Sequence, residues 1–132
     1  MKVKIIVLTL IMVMSVTCFS FAQDNNGLIV EAIQICTSVE DRAPVAEGSV
    51  FTGDVERLYC FTGIKNSGET TKVVHVWYYK DKEMTRVQLA VGTPTWRTWS
   101  SKRILPSWTG EWRVDVLSAD GDVLASKTFE IK

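Results

Sequence analysis

From residue 28 to its end the chain repeats one pattern: segments of eight to eleven residues rich in β-branched and aromatic side chains, separated by turn-forming residues. Such segments fit a pleated, half-buried surface, so strands are predicted at 28–38, 55–64, 72–80, 84–91, 95–103, 111–118 and 123–131. Between them, Asn66-Ser67-Gly68 can supply positive φ, Asp81 and its neighbours make a tight hairpin, and Ala119-Asp120-Gly121-Asp122 is a strong hairpin signal. Trp112, Val114 and Val116 alternate onto one face, and Val123, Ala125, Phe129 and Ile131 lie in register on theirs. The first segment would also suit a helix; no other stretch has convincing helical periodicity. With 46% hydrophobic and 23% charged residues the chain is too apolar to stay disordered, and 132 residues is too short for more than one domain. The expected fold is all-β: a single antiparallel β-sandwich of about seven strands, immunoglobulin-like. Trp77, seventeen residues after Cys60, stands where such sandwiches bury a tryptophan, although strand 111–118 lacks the second cysteine of that pattern.

Residues 1–22 have the order of a secretory signal peptide, leaving 23–132 as the β-sandwich domain. Met1-Lys2-Val3-Lys4 is basic, Ile5 to Val16 is apolar apart from Thr9 and Ser15, and Ser20-Phe21-Ala22 places small residues where a signal peptidase cuts. Two alternatives stay open. A retained membrane anchor would have an apolar run short of the roughly 20 residues a spanning helix needs. A lipid on Cys18 would follow the bulky Thr17, where a small residue is wanted. A signal peptide there would place the domain in the periplasm or outside the cell, without stable membrane insertion after cleavage. Losing Lys2 and Lys4 leaves 13 basic against 15 acidic residues, a net charge of −2. Two cysteines remain, Cys36 and Cys60, and an even pair in an exported chain is most simply a disulfide; two buried free thiols are the alternative.

Charge is unevenly distributed. Gln23 to Glu56 carries a net −6, Arg57 to Arg113 a net +6, and Val114 to Lys132 a net −2. All five tryptophans (Trp77, Trp96, Trp99, Trp108 and Trp112) fall in the basic stretch. Cations interleaved with indoles can bind anionic polymers or sugars by stacking plus charge. The plainer alternative is that strands of opposite charge neutralise one another around buried tryptophans. Trp77 and Trp112 alternate with β-branched neighbours and are expected in the core; at least one of Trp96, Trp99 and Trp108 is expected to meet solvent. On an extended strand Arg97, Trp99, Ser101 and Arg103 face one side, and Trp96, Thr98, Ser100 and Lys102 the other. Neither face is cleanly apolar, and that breach of half-buried patterning marks this strand as the best pointer to a site.

Other chemistries find little footing. His75 is the only histidine, shares a face with Val73, Trp77 and Tyr79, and suits a hydrogen-bonded structural role. No ligand-spaced partner suggests zinc, and no phosphate-cradling glycine loop or Gly-x-Ser-x-Gly elbow occurs, so neither metal nor cofactor is expected. Balanced charge gives no case for a nucleic-acid partner. Asp41-Arg42-Ala43-Pro44 is expected to be a structural turn in which Asp41 caps backbone donors and Pro44 stops the strand.

Several motifs then occur in a familiar order: Glu40-Asp41-Arg42-Ala43-Pro44, Tyr59-Cys60-Phe61-Thr62, His75-Val76-Trp77, Trp96-Arg97-Thr98-Trp99-Ser100-Ser101-Lys102 and Pro106-Ser107-Trp108-Thr109-Gly110-Glu111-Trp112-Arg113-Val114, followed by Asp120-Gly121 and Phe129. Together they resemble the bacterial family known as domain of unknown function 2914, over roughly residues 30 to 132. The resemblance implies a small domain, alone behind a signal peptide or attached to membrane segments, with no assigned activity. It places the family's recurring polar positions on His75, Arg97, Ser100 and Lys102. It does not extend to the cysteine pair.

The functional expectation is an exported, non-enzymatic binding module for an unknown envelope glycan or protein partner. Its candidate ligand-binding residues are His75, Trp77, Arg97, Trp99, Ser100, Lys102 and Trp108, with Trp99 or Trp108 as stacking platform and Arg97 and Lys102 as anion-binding cations. The alternative is a structural or assembly module that contacts another envelope protein and takes no small-molecule ligand. A hydrolase would need paired acid–base groups that the sequence does not place together.

Overall fold

The computed structural model describes residues 27–132, so the expected signal peptide at 1–22 lies outside the described residues. Ten strands follow one another: β1 (Leu28–Cys36), β2 (Ser38–Glu40), β3 (Ala43–Val45), β4 (Val50–Phe51), β5 (Arg57–Asn66), β6 (Thr71–Tyr79), β7 (Lys82–Val91), β8 (Thr95–Arg103), β9 (Gly110–Ser118) and β10 (Val123–Ile131). The seven long ones coincide with the predicted segments, including the first, which is a strand and not a helix. The three short ones have too few residues to show an alternating pattern.

The strands form a three-stranded sheet ordered β1-β5-β8, a five-stranded sheet ordered β4-β10-β9-β6-β7, and a separate β2-β3 ribbon. All ladders are antiparallel except the short pairing of β4 with β10, which is parallel. The β6–β7 and β9–β10 hairpins stay within one sheet, while the connections β5 to β6, β7 to β8 and β8 to β9 cross between sheets. That is the Greek-key connectivity of an immunoglobulin-like sandwich.

The two larger sheets meet through their alternate residues. Ile35, Leu58 and Cys60 of the three-stranded sheet pack against Trp77, Trp112, Val114, Phe129 and Ile131 of the five-stranded one. Leu28 and Ile64 meet Val73, Val91 and Val116 at the other end. Trp112 stacks on Phe129 with centroids 5.9 Å apart, and Trp77 meets the same ring edge-on at 6.1 Å. Each fully buried indole removes roughly 200 Å² from water, on the order of 5 kcal/mol, which outweighs the cost of finding a partner for its N–H.

The tight turns are held as their chemistry requires. Lys80 and Asp81 (φ 48° and 63°) form the two-residue β6–β7 loop, and Gly121 (φ 91°) the β9–β10 turn. The Asn66–Gly68 turn does not use positive φ. The buried Asn66 amide instead donates to the carbonyls of Glu69 and Gly92 and accepts from the Gly68 N–H. Asp41 and Arg42 do turn the chain, but Pro44 does not stop a strand: it lies within β3 opposite Val39, on a two-stranded ribbon with no further neighbour to require its missing N–H.

The expected disulfide is corrected: Cys36 and Cys60 are both free, buried thiols. In the β1–β5 ladder Ile35 faces Cys60 and Cys36 faces Tyr59. Successive rungs point to opposite faces, so Cys60 enters the core while Cys36 lies on the outer side, and their Cβ vectors diverge. Burial pushes both thiols above the ordinary cysteine range. Iodoacetamide followed by peptide mapping is therefore expected to label neither cysteine in the native protein and both after denaturation.

Candidate functional site

The seven sequence-predicted site residues divide among three places. His75, Trp77 and Ser100 are sealed between the sheets at 0%, 0% and 4% exposure. There they form a chain of hydrogen bonds with one consistent set of directions. Trp77 Nε1 can only donate, and does so to Ser100 Oγ at 3.0 Å. The Ser100 hydroxyl donates in turn to His75 Nδ1 at 2.7 Å. His75 Nε2–H donates to Thr62 Oγ1 at 3.3 Å, and Thr62 donates to the Thr98 carbonyl at 2.8 Å. This tautomer gives every proton in the chain an acceptor. Burial lowers the imidazole pKa to about 4, so His75 is neutral at neutral pH. The Ser100–His75 distance would suit a nucleophile and its base, but neither group reaches solvent.

Arg97 and Trp99 lie elsewhere, on the face of the three-stranded sheet turned away from the core. The β5–β8 register sets Gly63 opposite Arg97, Phe61 opposite Trp99, Tyr59 opposite Ser101 and Arg57 opposite Arg103. Trp99 stacks on Phe61 with centroids 6.3 Å apart and planes inclined by 15°. Since β8 is an edge strand, the far face of this half-buried indole has no neighbouring strand in the sheet. The β2–β3 ribbon follows β1, and its tip reaches the Arg97 end of β8. Arg97 Nη1 donates to the Arg42 carbonyl at 3.3 Å, and the Arg42 guanidinium lies 5.9 Å from the Trp96 ring centroid. Glu31, Arg42, Gly63, Ile64, Thr95, Trp96 and Arg97 enclose a cleft of about 470 Å³ there. Glu31 is occupied by Lys65 at 3.0 Å. Among the described residues, none of Arg42, Arg57, Arg97 and Arg103 is in an ion pair.

Lys102 and Trp108 occupy a third place. Lys102 is on the core-facing side of β8, opposite Leu58, with its ammonium 5.1 Å from the Trp108 ring centroid. Burial, and secondly the charge of Arg57, hold its pKa below the ordinary lysine value. Trp108 packs on Trp112 and accepts the Trp112 indole N–H at its carbonyl, closing this end of the core. Arg97 and Lys102 therefore point to opposite faces of one strand and cannot converge on a single small group.

Sequence reasoning passed over Arg42, taking its segment for a turn alone. Both central residues of that turn have positive φ (51° at Asp41, 60° at Arg42), where glycine is favoured at the second position. An arginine in this conformation costs about 1 kcal/mol. The side chain's place on Trp96, beside Arg97, gives that cost a functional reading. The absence of glycine from Glu40-Asp41-Arg42-Ala43 was the available signal.

Residues 70–131 match a family model described as protein of unknown function (DUF2914). The match spans β6 to β10 and contains all seven predicted site residues, while Arg42 and Arg57 precede it. No curated protein matches the chain. Among solved structures, the chain is similar to that of a β-glucosidase from Listeria innocua in complex with glucose, at 11% identity and a TM-score of 0.45. That likeness covers 79% of this chain and 15% of the glucosidase chain.

Proposed function

We propose that this DUF2914-like chain is an exported, non-enzymatic binding module whose outer sheet face takes an anionic, hydroxylated ligand on an envelope glycan. One observation carries the reading: Arg42 and Arg97, without acidic partners among the described residues, flank a cleft beside the exposed Trp96 and near the half-buried Trp99, which stacks on the buried Phe61. Guanidinium groups supply bidentate recognition of carboxylate, sulfate or phosphate, and indole faces supply stacking area. The sealing of Ser100 and His75 inside the core supports the non-enzymatic part of the reading.

Polygalacturonate titrated against the purified protein is expected to shift its tryptophan fluorescence, because Trp96 and Trp99 border the site. Arg97→Ala is expected to weaken binding by about tenfold or more, the worth of one charge-assisted contact. Arg42→Gly should also weaken it while leaving stability within about 1 kcal/mol of the parent, since glycine relieves the left-handed conformation. Unchanged affinity in both variants would remove this face from the proposal. Retention of a specific envelope protein without any polysaccharide signal would favour the assembly module instead.

A further inference from the structure

We infer that the outer face holds an extended acidic glycan, gripped at both ends, and not a single anionic group. This rests on the proposal that the outer face is the binding surface, and adds what it selects. Arg57 and Arg103 stand directly opposite one another at the far end of the β5–β8 ladder. Like charges in that position repel, so the pair is destabilising unless an anion lies between them. Neither is in an ion pair among the described residues; Arg57 Nη1 donates instead to Ser101 Oγ at 2.8 Å. The two arginines line a second cleft, of about 640 Å³. Asp54 and Glu56, from the loop before β5, line it too, but neither is within ion-pair distance of the arginines.

The face thus has two arginines at each end, Arg42 with Arg97 and Arg57 with Arg103. The half-buried Trp99 and Tyr59 lie between them, while Phe61, on which Trp99 stacks, is buried. From Arg97 to Arg103 is six residues of extended strand, about 20 Å. One sulfate, phosphate or uronate cannot touch both ends. A chain of several acidic sugars can, with its rings along the aromatic middle. Once one end is bound, the other binds as an intramolecular step, so affinity rises with chain length. A glycan fits better than an acidic peptide because the recognition elements are side chains on a sheet face, whereas an extended peptide is taken by the backbone groups of a strand edge.

The test is calorimetry on the purified protein with digalacturonate, hexagalacturonate, a sulfated heparin hexasaccharide and hexaglutamate. An acidic hexasaccharide is expected to bind at least about tenfold more tightly than the disaccharide. The Arg57→Ala/Arg103→Ala double variant, checked for an unchanged melting curve, should bind the hexamer no better than it binds the dimer. The two hexasaccharides distinguish carboxylate from sulfate as the anionic group. Equal affinity for dimer and hexamer, or full hexamer affinity in the double variant, overturns the two-ended grip. If dimer binding then still falls in Arg97→Ala, the binding-module proposal survives. Hexaglutamate binding as tightly as either hexasaccharide overturns the glycan assignment, and no binding by any oligosaccharide overturns both proposals.

Discussion

Acidification from pH 6.5 to 4 is expected to cost the folded domain about 3 kcal/mol through His75 alone. The folded pKa is lowered to about 4 from 6.5, with desolvation by burial as the cause. A depressed histidine pKa means that the unfolded chain takes up its proton first. The native state is therefore at full stability above pH 6.5, loses it as pH falls, and levels off below the folded pKa. Hydrogen-bond directions act in the same sense. An imidazolium would donate from Nδ1 to Ser100 Oγ, which already accepts the Trp77 indole N–H, and would leave the serine proton without its acceptor. Neither side-chain partner, Ser100 or Thr62, titrates in this range, so His75→Gln should flatten this part of the profile. Urea unfolding at pH 6.5 and pH 5, above the ordinary carboxylate range, isolates about 2 kcal/mol of the effect. A wild-type stability that is flat across that interval would contradict a buried neutral His75.

Removal of a single oxygen at Ser100 is expected to have a comparable effect. Ser100→Ala strands two buried groups at once, the Trp77 indole N–H and His75 Nδ1, at about 1–3 kcal/mol each. A loss of about 3 kcal/mol lowers the melting temperature by on the order of 10–20 °C for a domain of this size. Thr62→Val acts on the other ring nitrogen, so the two changes should be non-additive in a double-mutant cycle. The residual folded protein should still bind polygalacturonate with parental affinity, because Ser100 faces the core and the proposed ligand lies on the other side of the sheet. A Ser100→Ala variant that kept its stability but lost binding would reverse the assignment and return Ser100 to the site.

The difference between Ser100 and Trp99 shows where local pattern stops being informative. Every long strand was legible in the sequence, because side-chain alternation and turn chemistry act within a few residues. The same alternation separated Arg97, Trp99, Ser101 and Arg103 from Trp96, Thr98, Ser100 and Lys102, and the structure keeps Trp99 and Ser100 on opposite faces, although Trp96 and Arg97 share one cleft at the strand's end. Which set would face inward was not legible, since both mix cations, hydroxyls and indoles. That was decided across the sandwich: the indole N–H of Trp77 and the imidazole of His75 need hydrogen-bond partners in the core, and Ser100 and Thr62 are the residues on the opposing sheet that supply them.

The cysteines make the same division. The expected export and an even count argued for a bond, but a register one rung out of step points the two thiols apart. By itself, then, the sequence determined the strands, most of the turns and the all-β class, because these depend on interactions between near neighbours. Tertiary structure alone decided which histidine, serine and tryptophan became core and which arginines meet solvent together. Those outcomes depend on pairings between residues tens of positions apart, and no local periodicity encodes them.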